Sequence, residues 1–371
     1  MLEKTKIAGR QVMFAVACFL MASALLTGFA SNIVKHDTWL AVIAAALLAL
    51  PVILIYSLLM KRFPTLNLFG INRAVFGKAA GGIVSLAYLF FFHSLTTLTL
   101  MGINDLLKDH IMYTTPSVVL MALTALLGAW AVRSGIRTVM RYSELFFMFA
   151  GTLLIGVVIF ATTKGNWSNF LPVFDVDVDN FVKGTSRILT IPLLEVSGFL
   201  MIIPNIEKPD SQGRKYLMRG FVISTVCMIL VVYCDISILG NTIVLFKTPS
   251  FETLRMVNFT QALSRMEVFF AIVLTMLMFF KFSFLLYVTT LLFAQILGQE
   301  TYRPFVLGIA ALTCAYAFFI IPASVQGREV VIKHLPTLWL LFEFLLPAVT
   351  LLVAVLRKLP KRTAFEEATV K

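Results

Sequence analysis

The sequence predicts an all-α polytopic membrane protein. Its ten transmembrane helices form a five-plus-five inverted repeat, with helices 1 and 6 discontinuous. Three observations predict this. Of the 371 residues, 59% are hydrophobic and 13% are charged, against roughly 25% charged in a soluble domain. The apolar residues fall in blocks long enough for a bilayer crossing, which takes roughly 20 residues. The sixth block, Ile188 to Ile203, is short, broken by Pro192 and charged at Glu195. Proline removes a backbone donor and blocks helix continuation, and a carboxylate inside a bilayer is expensive without a partner or water. Such an interrupted span points to a binding cavity.

The predicted spans are 11–31, 39–60, 82–104, 117–133, 143–163, 186–203, 219–240, 266–294, 304–322 and 337–356. With the N-terminus placed inside, 20 of the 31 Lys and Arg residues fall on the inner side and 10 on the outer side; the remaining one, Lys281, lies within a span. This bias predicts that both termini are cytoplasmic. The basic start and the first apolar run have the layout of a secretory signal, but the run is long and is read as a retained span. The first repeat is 11–163, the second is 186–356, and 357–371 is a cytoplasmic tail. The long loop 61–81 between spans 2 and 3 lies on the side opposite the long loop 241–265 between spans 7 and 8. Matching features on opposite sides are what an inverted repeat predicts. Leu66–Phe76 and Phe251–Leu263 mix apolar and polar residues in these loops as surface-lying helices do.

Several short motifs, in order, resemble the permease-like B subunits of bacterial spore germinant receptors. They are Asp37-Thr38-Trp39, the stretch from Gly135 through Arg141 to Glu144, and Asn169-Phe170-Leu171-Pro172. Pro192 with Glu195 and Phe199, Arg265-Met266-Glu267, and Phe279-Phe280-Lys281-Phe282-Ser283 complete the set. The resemblance runs from about residue 10 to residue 357. It implies the LeuT-type fold of the amino acid–polyamine–organocation transporter superfamily. It also implies a small germinant, often an amino acid, bound at mid-membrane beside A and C receptor subunits in the spore inner membrane. Relatives often carry Gly-x-Gly in span 1, where a substrate carboxylate docks; here Ala22-Ser23-Ala24 stands in that place. Alanine resists the positive dihedrals glycine allows, so unwinding is expected to differ or to shift toward Thr27-Gly28. In the related transporters spans 1 and 8 together hold a coupling sodium, and Lys281 would put an ammonium there instead.

The expected ligand-binding residues are Ala22, Ser23, Ala24, Thr27 and Gly28 in span 1, with Tyr88 and Phe92 in span 3. Pro192, Glu195, Ser197 and Gly198 in span 6 and Phe282 in span 8 complete them. Free N–H groups at a broken span 1 would attract a carboxylate. Glu195 can pair with a cation in the bundle, meet a ligand ammonium or carry a proton. Lys281, the one basic residue deep in a span, needs a partner or water. Glu343 is read as a polar contact between spans, Glu144 as a local ion pair with Arg137 or Arg141, Arg265 and Glu267 as another, and Asp37 as a cap on span 2. Asp175, Asp177 and Asp179 alternate in a solvated loop that lacks a calcium-loop pattern.

The four cysteines lie inside apolar blocks at spacings that fit no zinc or disulfide framework. No phosphate-binding loop or catalytic triad is present, so neither an enzyme nor a cofactor is expected. The positive charge marks membrane sidedness rather than nucleic-acid binding. The alternative function is a sodium-independent, proton-coupled amino acid transporter.

Overall fold

A computed structural model describes residues 5–24, 28–256, 266–320 and 337–360. Every regular element of the described residues is helical. Among the described residues, seven helices are long and apolar enough to cross a membrane, and three shorter apolar helices, Gly9–Ser23, Ser117–Arg133 and Arg303–Phe318, fall on the remaining predicted spans. The first span contributes α1 (Gly9–Ala24) and α2 (Gly28–Val34). Thr27 lies outside the described residues, as do Arg265, the second half of the 251–263 helix expectation and the tail beyond 360.

Helix α3 (Thr38–Arg62) is followed by α4 (Leu68–Phe76), a short amphipathic helix on the 2–3 loop. Asn67 caps α4 by accepting the Gly70 amide at 3.1 Å, the arrangement that satisfies an orphan N–H of the first turn. Gly77, at φ +87, makes the turn into α5 (Lys78–His110), where a side chain would be strained. Helices α6 (Ser117–Arg133) and α7 (Ile136–Lys164) complete the first five spans.

The sixth span is irregular where its sequence says it should be. After α8 (Val178–Ile188) comes a π-helical stretch, Leu189–Leu194, in which Ile191 has extended dihedrals (φ −125, ψ 109), and then 3₁₀ turns over Glu195–Asn205. Helix α9 (Arg214–Leu239), loop helix α10 (Pro249–Met256), α11 (Met266–Ile296) and α12 (Val306–Ile320) follow. The last span holds a π-helical turn, Leu341–Leu345, and α13 (Leu346–Leu356).

Buried polar contacts fasten the irregular parts. Ser250 and Thr253 of α10 donate to the Asp235 carboxylate of α9 at 2.7 and 2.8 Å, docking the loop helix on the bundle. At the other end, the Ile7 amide donates to Asn205 and the Glu207 amide to Ile7, at 2.7 and 2.9 Å, tying the N-terminal segment to the end of span 6.

Asp37 does not cap α3 through its side chain. Its carboxylate accepts the amides of Phe174 (3.0 Å) and Val176 (3.3 Å), and His36 donates to the Pro172 carbonyl at 2.6 Å. Two motifs far apart in sequence thus form one clamp on the 5–6 loop. Glu144 pairs with Arg10 of α1 at 3.5 Å, a contact between helices, where the sequence predicts an ion pair with Arg137 or Arg141 of its own helix. Asp37→Ala leaves two amides without their acceptor, and the expected cost is about 1–3 kcal/mol. Thermal denaturation of the purified protein measures it, and Asp37→Asn, which keeps one acceptor oxygen, falls between.

Candidate functional site

The break in span 6 frees backbone groups at mid-bundle, and neighbouring side chains occupy them. Tyr56 on α3 donates to the Leu194 carbonyl at 3.4 Å and also to the Glu343 carbonyl. Tyr88 on α5 donates to the Phe342 carbonyl at 3.0 Å. A π-helical turn leaves carbonyls outside the regular ladder, so the phenols stabilise irregular segments in spans 6 and 10 together.

Glu195, the first residue after the break, is 2% exposed, and Lys281, midway along α11, is 3% exposed. Their side chains form a buried ion pair. Lys281 Nζ also donates to Ser23 Oγ at 2.5 Å and lies 4.8 Å from the centre of the Phe19 ring. Spans 1, 6 and 8 therefore meet at one ammonium, which balances the carboxylate. Next to the ammonium, Phe19 packs with Phe199 and Phe284, the last two stacked at 4.5 Å.

A cavity of about 190 Å³ opens beside this pair. Ser23, Glu195 and Lys281 supply its polar side, while Leu98, Thr99 and Trp339 are among the residues that complete the wall. The cavity thus offers an anchored ammonium, a carboxylate and a hydroxyl against apolar and aromatic walls. That combination suits a small zwitterion or polar solute.

Of the expected site residues, Ser23, Glu195 and Lys281 line the cavity, and the other described ones are not among its lining residues. Ala22 is fully buried in the core. Ala24 ends α1. Gly28 starts α2 with its α-carbon against the Lys247 carbonyl; a methyl group there would come within 2.2 Å of that oxygen. Pro192 and Ser197 are buried on either side of Glu195. Gly198 faces the rings of Phe284 and Phe92, and Phe92 stacks on Tyr88 at 5.8 Å. Phe282, one residue past Lys281, points about 100° round its helix and packs on Gly128 of α6. The wall residues Leu95, Leu98, Thr99, Gly102, Ile191, Met278 and Trp339 carried no sequence signal that set them apart from other apolar positions. Thr99 and Gly102 do follow Leu95 and Leu98 at helical spacing on one face of α5.

The protein-family model described as "Spore germination protein" matches residues 6–327. The chain is 26% identical to spore germination protein KB of Bacillus subtilis (strain 168) over 369 residues, covering 96% of each. It is 21% identical to the putative spore germination protein YfkT of the same organism over 291 residues, 77% of this chain and 79% of the relative. Among solved structures it resembles MhsT in complex with L-phenylalanine, at a TM-score of 0.62, with 12% identity and 95% and 99% coverage of the two chains. It also resembles Mhp1, a nucleobase-cation-symport-1 family transporter with bromovinylhydantoin bound, at a TM-score of 0.61, with 12% identity and 94% and 78% coverage. At this identity the likeness shows the fold: the bundle is that of LeuT-type transporters, in a family of permeases rather than enzymes, and the chain is an integral membrane protein.

Proposed function

Because this chain belongs to the spore germination protein family, we propose that it is the permease-like subunit of a germinant receptor, taking a small germinant, an amino acid by class, into the cavity beside Lys281 and Glu195. The observation that carries the reading is a charge pair at a helix break with a cavity against it, inside a transporter fold. A ligand carboxylate has the Lys281 ammonium to meet, and a ligand ammonium has Glu195. The structure of MhsT, the same fold, is described with L-phenylalanine bound, a zwitterion of this class.

The two halves, 11–163 and 186–356, act as inverted repeats, with both termini in the cytoplasm and the bundle in the spore inner membrane. Ligand that binds one arrangement of spans 1 and 6 better than the other shifts the bundle toward it, and the shift passes to A and C subunits. Lys281 occupies with its own ammonium the place between spans 1 and 8, so the response is sodium-independent.

A deletion strain screened against single amino acids and sugars, with and without sodium, tests this. Expected is loss of the response to one germinant, restored by the wild-type gene and indifferent to sodium. Unchanged germination on every compound tested contradicts it. Uptake of the same radiolabelled compound into reconstituted vesicles separates sensing from transport: robust accumulation identifies a proton-coupled amino acid permease instead.

A further inference from the structure

Glu343 sits in the π-helical turn Leu341–Leu345 of the last span and is 0% exposed. Among the described residues no group donates a hydrogen bond to either of its carboxylate oxygens. The contact it makes to a neighbouring span is through its backbone carbonyl, where the sequence predicts a polar side-chain contact. The titratable groups facing it are Glu195 on span 6, Lys281 on α11, Tyr56 on α3 and Tyr88 on α5. Both phenols are committed to backbone carbonyls, and the Lys281 ammonium is committed to Glu195 and Ser23. Among the described residues, two carboxyl groups thus face a single ammonium at the level of the span 6 break. A bare carboxylate without a donor is costly in the membrane interior, and two neighbouring carboxylates resist ionising together. A neutral carboxylic acid at Glu343 removes both costs.

We propose that Glu343 is a proton-binding site, holding one proton while Lys281 is kept by Glu195 and releasing it when that pair is separated. On separation, the O–H bond of Glu343 breaks, the proton passes to water, and the carboxylate formed balances the ammonium that Glu195 no longer neutralises. Re-forming the pair takes one proton back. The cavity is lined by Glu195 and Lys281 but not by Glu343. A solute that competes for the pair therefore reaches Glu343 through the charges on Glu195 and Lys281. The proton site stands whether or not the solute is a germinant.

Infrared difference spectroscopy of the purified protein, with no ligand, tests it. The carbonyl stretch of a protonated carboxylic acid is present in the wild type and lost in Glu343→Gln. Glu195→Gln, which leaves Lys281 without its partner, also loses the band, and Glu195→Gln combined with Lys281→Met keeps it. If Glu343→Gln fails to fold, Glu343→Asp gives the same information, since the band then shifts in place of vanishing. A wild-type spectrum from which Glu343→Gln removes only carboxylate bands, or a band that survives in Glu195→Gln alone, overturns the proposal.

Discussion

Lys281→Met lowers the stability of the purified protein by about 3–5 kcal/mol, the usual cost of stripping one partner from a buried ion pair. The reason is geometric. Glu195 is 2% exposed at a point where span 6 has lost its helical ladder, and Lys281 is the one group that forms a salt bridge with it among the described residues. Removing the ammonium leaves the carboxylate to take a proton or draw in water, and either response loosens spans 1, 6 and 8 together, because Ser23 loses its donor as well. The double variant Lys281→Met/Glu195→Leu replaces the pair by apolar side chains of similar length, and such replacements are often neutral or stabilising. It recovers most of the lost stability while the response to germinant stays absent. Thermal denaturation of the three proteins measures this, and a single variant as stable as the wild type contradicts it.

Filling the cavity is the second large effect. Thr99 is buried on α5 and lines the cavity, and its hydroxyl is already tied to the Leu95 carbonyl at 2.8 Å. Thr99→Phe therefore gives up one local hydrogen bond within its own helix and puts a ring into a space of about 190 Å³. Overpacking of this kind costs about 1–3 kcal/mol, which the bundle tolerates. The germinant, having to share the space with the ring, loses more than about 1.4 kcal/mol, or about tenfold in affinity. Spores carrying Thr99→Phe require at least that much more germinant for half-maximal response, with the protein present at wild-type level. Thr99→Ser, which removes a methyl group and keeps the hydroxyl, leaves the dose response near that of the wild type.

The broad architecture was legible because a membrane imposes it. Blocks of apolar residues, the charge bias between loops and the proline beside a carboxylate in span 6 were each readable in one dimension, and the break appears at Ile191, beside that proline. Glu195 and Lys281 stood out for the same reason: a charge inside a span must be answered. What could not be read is which side chains face one another. In a soluble protein, apolar periodicity separates core from surface, but in a bilayer both faces of a helix are apolar. Leu98 and Trp339 thus looked like any other large apolar residue among 34 phenylalanines and their neighbours. Phe282 illustrates the converse, since it follows Lys281 in the chain and is turned toward Gly128. The Asp37 clamp was hidden because its acceptor role is to amides 137 and 139 residues away, while the position before a helix reads as a cap. Asp235 escaped notice because its donors, Ser250 and Thr253, lie across a loop on a separate short helix.

The proposed function requires a small solute in the space beside Lys281 and Glu195. Titration calorimetry of the purified wild-type protein and of Thr99→Phe, with the amino acid that the spore screen identifies, tests that most directly. The predicted result is saturable binding of one molecule per chain to the wild type, weakened at least about tenfold in the filled variant. Equal affinity in both proteins would place the solute elsewhere and rule out the cavity as its site.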